Sequence, residues 1–131
     1  MKLQPDRADG VNLITRHDSA GIRVGQTEFA HSVLVPWQGA VTAWPPSHTG
    51  SLEAGHFEQI LIWQPELVIF GSGRRLRFVP PALLRGLIER RIGVETMDTA
   101  AACRTYNVLA AEGRTVVAAL IVEAAAFEAA S

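Results

Sequence analysis

Residues 71–75 read Gly-Ser-Gly-Arg-Arg and hold the densest set of groups able to do chemistry in this 131-residue chain. Glycines can bring backbone N–H groups close to a phosphate, a serine can act as a nucleophile, and arginine forks onto carboxylates or phosphates. The spacing fits none of the stringent patterns. G-x-G-x-x-G fails because Leu76 stands where the third glycine would be. A Walker loop fails for want of a lysine after the glycines. In a nucleophile elbow the glycines lie two residues from the serine, whereas Gly71 and Gly73 flank Ser72 directly. A sharp turn requiring positive φ at Gly71 or Gly73 accounts for the glycines.

Asp98 is a second candidate, a carboxylate placed to cap the helix expected over residues 99–112. Asn107 is a third. Asparagine is mildly unfavourable inside a helix, so it is expected to tie a neighbouring loop, with residues 71–75 the candidate loop. The candidate binding set is therefore Gly71, Ser72, Gly73, Arg74, Arg75, Asp98 and Asn107. No catalytic set is expected. The histidines His17, His31, His48 and His56 lack ligand spacing, so neither a metal nor another cofactor is expected. The single cysteine, Cys103, excludes an internal disulfide, and it shares an apolar helix face with Tyr106.

Charge adds a further signal. Of 12 lysines and arginines, Arg74, Arg75, Arg77, Arg85, Arg90 and Arg91 fall within residues 74–91, where Glu89 is the only acid. Such a run is commonly a solvated face, and it also suits an acidic protein or an anion. The net charge of -1 gives no general pull toward nucleic acid or anionic membrane.

The elements that must position these residues follow from periodicity. Residues 67–70, Leu-Val-Ile-Phe, read as a strand buried on both faces, and Gly71 stops it. A helix led by Pro80 and Pro81 follows, with Leu83, Leu84, Leu87 and Ile88 inward and Gly93 as its left-handed cap. Residues 94–97 form a second strand, residues 99–112 a helix capped by Gly113, and residues 114–122 a last β-rich run. This alternation predicts an α/β core over residues 66–122 whose first two strands are parallel, with their carboxyl-end loops on one edge. Upstream, strands at 11–16, 22–24 and 32–35 read as an antiparallel meander, with Leu13 inward on the first. Residues 36–55 form a long loop pinned by Trp37 and Trp44, with a short strand at 41–44, and a helix is expected at 56–63 before Pro65.

At 48% apolar and 19% charged residues, the chain is expected to be one globular domain over 1–131, with 1–10 and 123–131 frayed. No apolar run reaches a membrane span, and residues 1–10 resemble neither a secretory signal nor a transit peptide, so the expected location is the cytoplasm.

The ordered segments Gln64-Pro65-Glu66-Leu67-Val68-Ile69-Phe70-Gly71-Ser72-Gly73, Gly93-Val94-Glu95-Thr96-Met97-Asp98-Thr99 and Thr105-Tyr106-Asn107-Val108-Leu109 carry a family signature. With Glu112-Gly113-Arg114 and Ala118-Ala119-Leu120, they resemble the small domain-of-unknown-function family related to respiratory complex I assembly factor 3 proteins. Gln64-Pro65 replaces that family's usual Lys-Pro, and Gly71-Ser72-Gly73 its usual Gly-Thr-Gly. The resemblance implies a single three-layer α/β domain: a central mixed β-sheet, helices on one side and an additional β-layer. It also implies a free-standing bacterial member, protein partners and, by analogy, assembly or maturation of a respiratory complex. It brings no catalytic residues. The expected function is thus a non-enzymatic protein-interaction factor, the alternative being a small-molecule or anion binder, or an enzyme, using the carboxyl-end loops.

Overall fold

A computed structural model of the chain describes residues 10–123. Three antiparallel strands, β1 (Ile14–Asp18), β2 (Gly21–Val24) and β3 (Thr27–Phe29), form one sheet. A second sheet has the order β5-β4-β8-β6-β7, from β4 (Val33–Pro36), β5 (Thr42–Ala43), β6 (Leu67–Gly71), β7 (Gly93–Met97) and β8 (Val116–Leu120). In it β6 runs parallel to both β7 and β8, while β4 is antiparallel to β8 and β5. The α/β class, the mixed central sheet and the additional β-layer agree with expectation.

Both faces of the central sheet are apolar, because successive side chains along a strand point to opposite sides. On one face, Ile69, Val116, Ala118 and Leu120 pack with Ile14, Ile22 and Val24 of the small sheet and with α3 (Thr99–Ala111). On the other, Val68, Phe70, Val117 and Ala119 meet Phe57 of α1 (Ala54–Glu58), Ile60 and Leu87 of α2 (Arg85–Glu89). The helices thus divide between the faces, with α3 on the side of the added β-layer. Trp44, Phe57 and Phe70 close the second core edge to face, with centroids 5.4–6.2 Å apart. The Trp44 indole donates to the His56 carbonyl at 3.1 Å, so this tryptophan pins its loop as expected.

Several local details differ from the sequence reading. The meander is β1-β2-β3, and the strand expected at 32–35 belongs to the central sheet as β4. Leu13 is partly buried against the core as expected, and its neighbour Ile14 is the fully buried residue that opens β1. Both middle helices are short and continue into, or out of, 3-10 turns at Gln59–Trp63 and Pro81–Leu84. Ile88 is exposed, because one α-helical turn and a half buries only Leu87 fully. The left-handed residue after α2 is Arg91 (φ 61), whereas Gly93 opens β7 close to the Leu67 side chain. No helix among the described residues is long and apolar enough to cross a membrane. The tail beyond residue 123 lies outside the described residues, as does most of the amino-terminal stretch 1–10.

Candidate functional site

Parallel pairing aligns Gly71 with Met97 on one side and with Leu120 on the other. The carboxyl ends of β6, β7 and β8 therefore share one edge, where ligands of such sheets are commonly held. Thr99 stitches that edge together: its hydroxyl accepts from the Gly73 N–H at 2.9 Å and donates to the Ile121 carbonyl at 2.7 Å. The Thr99 N–H donates to the Gly73 carbonyl at 2.9 Å, and the Ser72 N–H to Met97 at 2.9 Å.

Between this edge and the β1–β2 turn lies a cleft of about 380 Å³. His17, Asp18 and Ser19 form its outer wall; Gly73, Arg74, Asp98, Thr99, Ala100 and residues 121–123 form the inner one. Three carboxylates, from Asp18, Asp98 and Glu123, border it beside one guanidinium. The N–H groups of Ala20 and Gly21 donate to Asp18, and the Ala20 bond chiefly holds its carboxyl below the usual range, aided by Arg16. Asp98 performs the capping expected of it, accepting from the Ala101 N–H at 2.8 Å.

Glu123 is buried, and one of its carboxylate oxygens accepts from the Arg74 N–H at 2.9 Å. The other oxygen lies 3.6 Å from the Arg77 guanidinium. Gly73 has φ +108, and a Cβ there would come within 2.8 Å of the Glu123 carboxyl carbon. Glycine is needed at Gly73 both for its backbone angle and for its space. Gly71 has no positive φ, but a Cβ there would approach the Thr99 Cα to 2.9 Å.

Ser72 is fully buried, and its hydroxyl is a structural hub. It lies 2.6 Å from the Arg75 carbonyl and 3.2 Å from the Met97 carbonyl, and it accepts from the Arg77 N–H at 3.0 Å. With its hydrogen directed at backbone carbonyls, this oxygen holds the turn closed. Gly73, Arg74 and Asp98 meet in the cleft, whereas Arg75 is exposed outside the residues lining it.

Asn107 is elsewhere. It stands two turns along α3 from Thr99, where its side chain accepts from the Ile14 N–H at 2.8 Å and donates to the Ile14 carbonyl at 2.7 Å. It ties β1, not residues 71–75, because eight helical residues carry it about 12 Å from the edge. Thr99, Glu123 and the strand-end residues His17 and Asp18 carry no motif that marks them as site residues. A lone acid directly after the apolar run 116–122 is the one signal that pointed to Glu123.

Residues 14–121 match the family described as a protein of unknown function (DUF498/DUF598). The chain belongs to this family. Relatives within reach of sequence comparison include NADH dehydrogenase (ubiquinone) 1 alpha subcomplex assembly factor 3 of Bos taurus, 34% identical over 111 residues. That match covers 82% of this chain and 59% of the bovine protein, so the chain spans less than two thirds of that relative's length. Among solved structures, a Bordetella parapertussis protein superposes with a TM-score of 0.82 at 38% identity, covering 87% of this chain and 98% of that one. A Bordetella pertussis protein described as a Mth938-like domain gives 0.82 at 31% identity, covering 98% of both chains. The two-sheet architecture of this DUF498/DUF598 member is thus shared with bacterial proteins of similar size.

Proposed function

We propose that this chain is a non-enzymatic protein-interaction factor that serves the assembly or maturation of a respiratory complex. The observation carrying the proposal is the 34% identity, over 82% of the chain, to a protein named as an assembly factor of NADH dehydrogenase. The arginines at the carboxyl edge supply a surface suited to protein recognition. The reading extends to a bacterial cytoplasmic protein, its likeness to the two Bordetella structures supporting the bacterial part.

Deleting the gene in its native host, followed by native gel electrophoresis of the respiratory complexes, tests the proposal. Assembled NADH dehydrogenase complex is expected to fall and to return when the chain is resupplied. Unchanged complex in the deletion strain would refute the role.

A second reading is favoured by the cleft itself. A volume of about 380 Å³ lies within the range of small-molecule pockets. Arg74, Gly73 and Asp98 would then contact a small ligand or anion. Titration of the purified protein with inorganic phosphate and small carboxylates checks this, with a saturable shift in unfolding temperature that is lost in Arg74→Ala as its expected sign.

A further inference from the structure

Residues 74–78, Arg-Arg-Leu-Arg-Phe, combine two features that ordinary loops lack. The first is an unusual display of apolar surface: Phe78 is 74% exposed and Leu76 53% exposed, beside exposed Arg74 and Arg75. The second is that the backbone beneath them is fixed. The Ser72 hydroxyl bonds the Arg75 carbonyl and the Arg77 N–H, while the buried Glu123 carboxylate accepts the Arg74 N–H. A loop held this way has little ordering entropy left to lose, so its side chains can serve as binding anchors at low cost. Aromatic and arginine side chains are the types that dominate binding energies at interfaces.

The geometry points to the 74–78 loop as the contact by which this chain grips a partner protein, one presenting an apolar socket for Phe78 bordered by a carboxylate for Arg75. This inference rests on the protein-interaction reading and specifies its surface. Charge complementarity selects the group that meets Arg75, because this exposed guanidinium stands in a segment, residues 71–88, that contains no acid. An anionic bilayer is the competing occupant, and the same edge argues against it. Asp18 and Asp98 line the cleft that also includes Arg74, so a uniformly anionic surface would meet carboxylates as soon as it met the arginines. A protein can match both signs.

The test places the photocrosslinker p-benzoylphenylalanine at position 78 in the native host, with a control at Val108, an exposed site on α3. The expected result is a dominant protein adduct at position 78, absent at position 108. Its yield should fall about tenfold or more in R75E, the scale of a lost interfacial anchor. Circular dichroism of that variant should match the wild type, and Arg74 and Arg77 are left intact because both contact Glu123.

Adduct yield equal at positions 78 and 108, or unaffected by the reversal, overturns the inference. So does co-sedimentation of the purified protein with phosphatidylglycerol vesicles, but not phosphatidylcholine vesicles, that is lost in Phe78→Ser, since it would assign the loop to a bilayer. The two levels fail separately. If R75E and Phe78→Ser still restore complex assembly in the deletion strain, the surface is wrong and the role stands. If deletion leaves assembly intact, the role is wrong whatever the adduct.

Discussion

Gly73 shows how one residue can join backbone and side-chain constraints. Its φ of +108 suits glycine, and the buried Glu123 fills the space a Cβ would need. Gly73→Val should therefore cost about 1–3 kcal/mol of stability or more, read from urea unfolding. Gly113, also at positive φ but with open space around it, should tolerate alanine at the backbone cost alone, about 1 kcal/mol. Cys103 offers a second residue-scale test. Burial pushes its thiol up from 9.0 to about 12, with Arg104 opposing weakly. Below pH 9 the thiol is neutral in both folded and unfolded chains. Between pH 9 and about 12 the unfolded chain loses this proton while the folded one keeps it, so stability falls as pH rises. The slope from this group reaches at most about 1.4 kcal/mol per pH unit. Urea midpoints measured from pH 8 to pH 10 should decline less steeply in Cys103→Ala. Burial raises the Tyr106 hydroxyl as well, adding to the loss at higher pH.

At the scale of elements, α3 links the two sheets. Its inner stripe of Ala102, Cys103, Tyr106 and Ala110 is buried against the central sheet, where small side chains allow a close approach. Its other side-chain contacts reach the start of β1, the residues just before it and the end of β4. The Tyr106 hydroxyl lies 2.7 Å from the Asn12 carbonyl and 3.1 Å from that of Pro36, and Asn107 binds both backbone groups of Ile14. Asn107→Ala leaves that N–H and carbonyl without their partner. It should cost about 2–3 kcal/mol, since each lost bond contributes about 1 kcal/mol. Amide hydrogen exchange should then accelerate in β1 and β2 before it does in β6 and β8. If exchange rose uniformly, Asn107 would be stabilising the whole fold rather than docking the small sheet. Asp98→Ala removes the α3 cap and should cost about 1 kcal/mol in thermal unfolding.

At the scale of the molecule, the six arginines of residues 74–91 do not form one patch. Arg74, Arg75 and Arg77 leave the carboxyl end of β6, while Arg90 lies with Gln64, Pro65 and Ile92 near its amino end. Five strand residues separate those ends by about 13 Å, more than a Debye length at physiological salt. R90E/R91E should thus leave complex assembly in the complemented deletion strain as in the wild type, whereas R75E should impair it. The exposed pair Arg90 and Arg91, so reversed, should alter stability by no more than about 0.5 kcal/mol.

The sequence by itself determined the elements whose signals are local. The run Leu67–Gly71 ends where its glycine falls, Asp98 caps α3, and the order of apolar and small residues on α3 marks the face that packs. These depend on neighbours within a few residues, so periodicity and capping chemistry disclose them. Tertiary structure alone decided which strands share a sheet, which loop Asn107 ties, and how Glu123 and Thr99 close the carboxyl edge. Glu123 meets Arg74 across 49 residues and Asn107 meets Ile14 across 93. No local pattern encodes such pairings, because the hydrogen bonds that select them exist only after burial has brought distant segments together.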